Sequence, residues 1–467
     1  MNEPALKSLL CSLRDDVDAL RELIREQNRR IEEQRRETER LQRENEALRR
    51  RLEDQERQSH RQAAPFRLED EKRQAAPKKP GRPAGHVGRC RPKPAHVDET
   101  VEAPLGGCPQ CGGSVHDVHA IEQFIEDLPP VRPHVTRVVT YEGRCAQCGT
   151  VRSQHPLQVS TASGAAGVQI GPRALGVAMQ LIHRHGVPKR ATCRLLDDLF
   201  GLRLSPGGLV QAAHRLGAKL SPQVQAVQDD LRAAPAVHAD ETSWWVGGPG
   251  WQLWVFSNRQ STLYRVRPSR GREVVYDTLG ADFPGVLVSD CLSTYDDATP
   301  VQHKCYAHHH RAITAAMKRH AQGGEGYLRE LRLLLQAAQA VKKVQADFDP
   351  PERAQRRAAL EAWANRLLMA PRGDADEEAV ANRLRKQRDH LFVFLDHDAV
   401  DATNNHAERQ LRPAVIARKL SCGNRTPRGA LTWERLTSLA VTAAQRGQSF
   451  PTLVARAALL APPPAPT

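Results

Sequence analysis

The sequence predicts a mixed α/β catalytic core, interrupted by an all-helical insertion and preceded by three smaller N-terminal modules. Three observations predict it. From Ala234 onward the patterning turns strand-like in the order β, β, β, α, β, with an acid inside the first strand and another closing the fourth. A third acid follows a long helical stretch, in Asn404-Asn405-His406-Ala407-Glu408-Arg409. Two Cys-x-x-Cys-Gly knuckles precede all of this, behind an uninterrupted heptad pattern.

The chain has 467 residues, too many for one ordinary domain. Apolar residues make up 40%, enough for real cores, and charged residues 26%. The formal charge of +14 and a pI near 9.6 point to a polyanionic partner. Ten cysteines, only four of them in tight pairs, are too sparse for a disulfide scaffold. The N-terminus lacks the apolar run of a signal peptide, and no stretch approaches the roughly 18 apolar residues of a membrane span. The expectation is a cytoplasmic protein, nucleoid-associated when bound to DNA, with no membrane partner.

Residues 1–60 read as a coiled coil. Val17, Ile24 and Ile31 fall at a, and Leu13, Leu20, Leu41 and Leu48 at d, a combination that favours a parallel homodimer. Asn45 at a fixes register, and the Asp16–Arg21 and Glu44–Arg49 pairs attract while Arg30–Arg35 repels. Residues 61–100 form a basic Pro/Gly linker. Its stretch 72–93 carries eight Lys or Arg and no acid, and its Gly81-Arg82-Pro83 tripeptide suits a narrow minor groove, with Arg82 as the inserted side chain.

Residues 101–155 read as a zinc ribbon. Cys108, Cys111, Cys145 and Cys148 form two knuckles with 33 residues between them, and each knuckle aims two thiolates at one point. Two knuckles complete one closed, structural tetrahedral site. Ile121–Leu128 and His134–Tyr141 are the expected ribbon strands. A redox dithiol pair is the alternative, but no βαβ context surrounds it.

Residues 165–225 are helical in pattern, with helices expected near Arg173–Arg184 and Arg190–Phe200 and a third opened by Ser205-Pro206. The spacing matches a helix-turn-helix, which makes Gln211, Arg215 and Lys219 of the third helix DNA contacts. A generic helical hairpin fits nearly as well.

The core divides into a first part, 230–303, a helical insertion, 304–400, and a second part, 401–450, before a Pro/Ala-rich tail, 451–467. Strands are expected at Pro235–Val246, Trp251–Asn258 and Ser261–Arg267, a helix at Gly271–Leu279, and a strand from Gly285 to Asp290. This order is how ribonuclease-H-like cores set two carboxylates side by side. Asp240, Asp290 and Glu408 are then the catalytic acids, with an Asn cap opening the helix of Glu408. Displacement at a phosphodiester suits two hard cations about 4 Å apart. Mg²⁺, with Mn²⁺ as substitute, prefers carboxylate oxygen. Asp240 would bridge the two ions, and Asp290 and Glu408 would each hold one. Glu241 competes with Asp240, but strand alternation puts the two on opposite faces. Glu408 has the duller alternative of pairing with Arg412. Arg409, Arg412, Arg418 and Lys419 make the last helix basic, which suits contact with the DNA backbone.

These residues also resemble a family, the transposases of the bacterial insertion sequence sixty-six group. The likeness runs from about residue 75 to 435. It rests on GRPAGHVG at 81–88, the two CxxCG knuckles, HADET at 238–242, the strand ending in Asp290 with Tyr295 after it, CYAHHHR at 305–311, NNHAERQLRP at 404–413, ARK at 417–419 and RGA at 428–430. The resemblance implies a DDE transposase with its acids at Asp240, Asp290 and Glu408. Such an enzyme acts on terminal inverted repeats and target DNA, sometimes with accessory proteins of the same element. Cys291 stands where the family usually has Gly. Cys305 and His308 resemble a Cys/His pair of DDE transposases and form a possible second metal site, with a structural role favoured. The alternatives to strand transfer are a ribonuclease-H-like nuclease, or a zinc-containing dimeric DNA-binding regulator with an inactive core.

Overall fold

In the computed structural model the described residues are 25–30, 32–41, 92–129, 131–161, 167–319, 326–369 and 371–459. The chain forms two compact units, Met1–Glu126 and Asp127–Thr467.

In the first unit, residues 25–30 and 32–41 are helical and exposed. Their ion pairs, such as Arg35–Glu39, run along one helix, each worth a few tenths of a kcal/mol. The rest of the predicted coiled coil, and Arg82 with its GRP tripeptide, lie outside the described residues. Around the first knuckle the backbone turns tightly: Gly112 N donates to Cys108 O at 2.8 Å and Cys108 N to Gly113 O at 2.9 Å, with Gly112 at φ +73°. The expected ribbon strands are absent, since the described residues of 121–128 and 134–141 lie in no helix or strand. Their apolar side chains (Ile121, Ile125 and Val135 among them) are exposed rather than alternately buried, so the patterning has no core to act on.

The second unit opens on a hairpin instead, β1 (Glu142–Cys145) and β2 (Gly149–Arg152), antiparallel, with the second knuckle forming its turn. Four helices follow. α1 (Pro172–His183) carries Pro at its start. α2 (Lys189–Phe200) ends where Gly201 adopts φ +65° and its N–H bonds back into the last turn. α3 (Pro206–Lys219) begins with the Ser205 hydroxyl accepting from Gly208 N at 3.0 Å, as its sequence predicts. It buries Leu209, Ala212, Ala213 and Leu216, one helical face. α4 (Ser221–Arg232) is a further helix beyond the expected three. All four join one hydrophobic core with the sheet that follows.

That sheet has five strands: β3 (Ala236–Trp244), β4 (Trp251–Ser257), β5 (Thr262–Arg267), then, after α5 (Glu273–Leu279), β6 (Val286–Ser289) and β7 (Val301–Lys304). Their order is β5-β4-β3-β6-β7; β3, β4 and β5 form an antiparallel meander, and β6 and β7 add in parallel. This mixed sheet is compatible with a ribonuclease-H-like core. The fifth strand, β7, had no signal in the sequence because its buried side chains are polar. His303 has the carbonyls of His390 and Ala402 beside its two ring nitrogens and can donate to one of them at a time, and Gln302 donates to the carbonyl of Thr299. Lys304 pairs with Asp296 at 3.3 Å.

The insertion is helical, as expected: α6 (Tyr306–Arg319), α7 (Gly326–Val344), α8 (Pro350–Leu368), α9 (Ala375–Lys386) and the short α10 (Val393–Asp396). They share a second core with Ala236, Val286 and Val288 on one face of the sheet. The chain returns through α11 (Asn405–Ser421) and α12 (Pro427–Gln445) to α13 (Phe450–Ala458). The first part of the expected tail is thus a helix with Phe450, Val454 and Ala458 buried. α12 covers the edge of the sheet by hydrogen bonding rather than by packing alone. Thr442, Ser438 and Glu434, four residues apart on one helix face, accept from the N–H groups of Thr262, Tyr264 and Val266, every second residue of β5. A helix advances about 6 Å over four residues and a strand about 6.8 Å over two, so the two repeats match. The donors that a sheet edge leaves open are thereby satisfied.

Candidate active site

Strand register brings the first two acids together. Ala236 pairs with Val286 and His238 with Val288 in the parallel β3–β6 ladder. Asp240 and Asp290 each lie two residues beyond the last pair of that ladder, and the Asp290 charge is felt at Asp240. Alternation puts both on the same face: Ala236, Val286 and Val288 belong to the core under the helical insertion, whereas Val237, Ala239 and Leu287 belong to the opposite core. α11 packs on this face of β3, bringing Glu408 from its first turn. The charges of Asp290 and Glu408 are both felt at Asp240. Burial, then the neighbouring Glu241, and then Asp290 and Glu408 push the Asp240 carboxyl up to about 7, against the opposing bond from its neighbour's N–H.

Each acid has a partner of its own. Asp240 Oδ1 accepts from Glu241 N at 2.9 Å, and Asp290 Oδ1 from Leu292 N at 2.9 Å. Glu408 Oε1 lies 3.3 Å from Arg311 Nη2, a guanidinium on α6. No Glu408–Arg412 pair is formed among the described residues; the partner came from the insertion, which sequence spacing along one helix does not reveal. Glu241, the rival ligand, faces the other core. Its side chain is 2% exposed and accepts from the Tyr295 hydroxyl at 2.6 Å and from Arg270 Nη2 at 2.8 Å. Arg270 and Tyr295 were missed as site neighbours; the only trace was Tyr295 recurring after the second acid.

The three consecutive histidines diverge, because successive helical residues point about 100° apart. His308 stays with the acids: burial and Arg311 lower its pKa while Asp290 and Glu408 pull the other way, and its buried Nδ1 has no partner among the described residues. His309 is buried with Nε2 3.8 Å from Cys291 Sγ. His310 reaches Gln339 on α7 at 3.3 Å. The Cys305 thiol is buried and accepts from Asn404 N at 3.0 Å.

Of the basic residues expected to meet DNA, Arg409, Arg412 and Lys419 are exposed on α11, and Gln211 and Arg215 on α3. Lys219 Nζ is bound by the carbonyl of Leu459 at 2.9 Å, and Arg418 by the Ser243 carbonyl. The knuckle cysteines lie two in each unit. The Cys108 thiol is lowered first by the Gln110 N–H, then by Cys111; the Cys145 thiol first by the Cys148 N–H, then by that of Gln147. The first thiol of each knuckle is thus shifted toward its thiolate by N–H groups of the turn. Among the described residues, no three His, Cys, Asp or Glu side chains stand close enough together to hold a metal ion.

A mixed five-stranded sheet flanked by helices is the kind of core found in nucleic-acid-processing enzymes. The family model described as Transposase IS66 family matches residues 167–432, and the chain belongs to that family. The match spans the sheet, the insertion and all three acids. No curated protein matches the chain. The family's chemistry uses divalent metal ions and acts on DNA. No described helix is long and apolar enough to cross a membrane.

Proposed function

We propose that this chain cuts DNA at the ends of its element and joins the freed 3′-hydroxyl to target DNA, with Asp240, Asp290 and Glu408 as the catalytic acids. The observation that supports the reading is that Asp240 and Asp290 each follow the last β3–β6 pair by two residues, and that the charges of Asp290 and of Glu408, in the first turn of α11, both act on Asp240. Three mutually repelling carboxylates, one of them pushed up to about 7, suit hard divalent cations such as Mg²⁺ or Mn²⁺. Asp240, Asp290 and Glu408 would hold the ions, with Glu408 giving up Arg311 to do so. Bound ions supply activation of the attacking oxygen and charge relief on the leaving one. In cleavage, water bonds to phosphorus and the 3′ oxygen leaves as a hydroxyl. In joining, that hydroxyl bonds to a target phosphorus and displaces the neighbouring 3′ oxygen. Arg409 and Arg412, within a turn of Glu408, offer charge to the backbone beside the acids, and Lys419 lies at the far end of the same helix. The two knuckles, with Cys108 and Cys145 each shifted toward thiolate, would together hold one structural Zn²⁺.

The test is strand transfer: full-length protein, Mg²⁺, labelled DNA carrying the element's end, and a target plasmid. Wild type is expected to yield joined product and Asp290→Ala none, a loss of at least about 10³-fold. Cleavage without joining would replace the reading by a nuclease, and binding without chemistry by a regulator.

A further inference from the structure

The geometry points to Asn404 and Cys305 as positioning residues that set the spacing of the three acids; the inference rests on the assignment of those acids proposed above. Asn404 precedes α11 at the position where an Asn side chain normally caps the helix, a bond worth about 1 kcal/mol. It makes no such cap. Its side chain is 1% exposed and turned into the sheet, where Nδ2 donates to Ala239 O at 2.7 Å and Oδ1 faces His238 Nδ1 at 3.1 Å. Ala239 lies one residue beyond the last β3–β6 pair, His238↔Val288. The amide therefore takes up a strand carbonyl where the two acid-bearing strands cease to pair, next to Asp240.

The Asn404 backbone completes the linkage. Its carbonyl accepts from Glu408 N at 3.2 Å, fixing the first turn of α11. Its N–H donates to Cys305 Sγ at 3.0 Å, and Cys305 N donates to Ser289 O, the residue before Asp290, at 2.8 Å. One bonded path thus runs from Ser289 through Cys305 and Asn404 to Ala239, with a branch to Glu408. Each acid is adjacent to a residue on the path or is on it. Without such a path, repulsion among three carboxylates would drive the strand ends and α11 apart. The Cys305 thiol is an acceptor in this path, which is a different role from the metal ligation expected of a Cys/His pair.

The experiment measures Mn²⁺ uptake by the metal-free full-length protein, from the loss of the free-ion electron paramagnetic resonance signal. It is paired with Mg²⁺ titration of cleavage, DNA-end binding and thermal unfolding. Asn404→Ala is expected to weaken Mn²⁺ binding about tenfold or more and to raise the Mg²⁺ needed for half-maximal cleavage, with DNA-end binding unchanged. Cys305→Ser, which keeps an acceptor, is expected to stay near wild type, and Cys305→Ala to follow Asn404→Ala. A folded Asn404→Ala with wild-type Mn²⁺ affinity overturns the inference. If Asn404→Ala does not fold, equal affinities of the Cys305 pair overturn it instead. Asp290→Ala sets the baseline for losing the site. Wild type that takes up Mn²⁺ yet cuts no DNA would defeat the strand-transfer reading and leave the positioning role intact. Wild type that takes up none would defeat both.

Discussion

In the hairpin that carries Cys145 and Cys148, all four residues of β2 are exposed, whereas β3 buries five of its nine. The same contrast holds outside the strands. Ile121, Ile125 and Leu128 are exposed ahead of the hairpin, while Val237, Leu253, Phe256 and Leu287 are fully buried around the acids. The knuckle region shows local turns without a core to close on. The five-stranded sheet shows a core large enough to hold polar and charged groups such as Glu241, His303 and Lys304. The difference teaches where each region's stability must come from: a cross-link in one, burial in the other.

Metal removal should separate the two most sharply. If one zinc joins both knuckles, a chelator should strip about one ion per chain. It should also expose residues 92–157 to protease while the fragment from about 167 onward stays resistant. Structural zinc sites contribute about 10 kcal/mol or more, so the loss should be complete rather than graded. Cys108→Ser should reproduce it. Undiminished protection in zinc-free protein would show that the region is held by something other than the metal.

The core should fail only when its buried polar network is broken. Glu434 is 1% exposed, accepts from Val266 N and Arg267 Nη1, and lies near Arg265. Glu434→Ala leaves an edge N–H unsatisfied and takes the carboxylate from two guanidinium groups that keep only neutral acceptors, Gln228 Oε1 and Val266 O, a loss of about 3–5 kcal/mol in denaturant unfolding. Glu434→Gln, which keeps an acceptor for Val266, should lose clearly less. Equal losses would mean that the charge, not the covered edge, holds β5.

Asp240 should show the opposite sign. Its carboxyl titrates near 7 in the fold and near 3.8 as a free side chain. A raised carboxyl penalises the charged form, so the penalty is absent below about pH 4, grows from pH 4 to 7 and is complete above pH 7. Asp240→Asn should therefore raise the melting temperature of metal-free protein at pH 8 by a few degrees, and the gain should vanish by pH 4. A gain independent of pH would mean that the site is not electrostatically strained.

These outcomes bear on how far the sequence is legible. Strands β3 to β6 were readable because their apolar side chains keep period, and Asp240 and Asp290 because each ends or interrupts such a run. β7 was hidden since His303 and Lys304 are buried with polar partners, and periodicity counts only apolar residues. The ribbon strands were misplaced for the converse reason: Ile121, Phe124, Ile125 and Leu128 are apolar but follow no strict alternation, and all four are exposed. Arg311 beside Glu408 and Arg270 beside Glu241 are tertiary pairs 97 and 29 residues apart, beyond any local pattern. Asn404 was visible as a cap, but the direction its side chain takes was not.

The smallest effects should divide the basic residues of α11 from those of α3. Arg412 is exposed with no ion-pair partner among the described residues, whereas Lys219 is bound by the carbonyls of Ala458 and Leu459. A Lys or Arg that neutralises one phosphate lowers the salt slope of DNA binding by about 1 when removed. Arg412→Ala should show that change across unrelated sequences, at a cost of under about 1 kcal/mol at moderate salt. Lys219→Ala should leave the slope unaltered and instead loosen α13 from α3, seen as faster hydrogen exchange in Phe450–Ala458. A slope change for Lys219→Ala would mean that α3 gives up its contact with α13 to meet DNA, and would move the helices before the sheet from scaffold to interface.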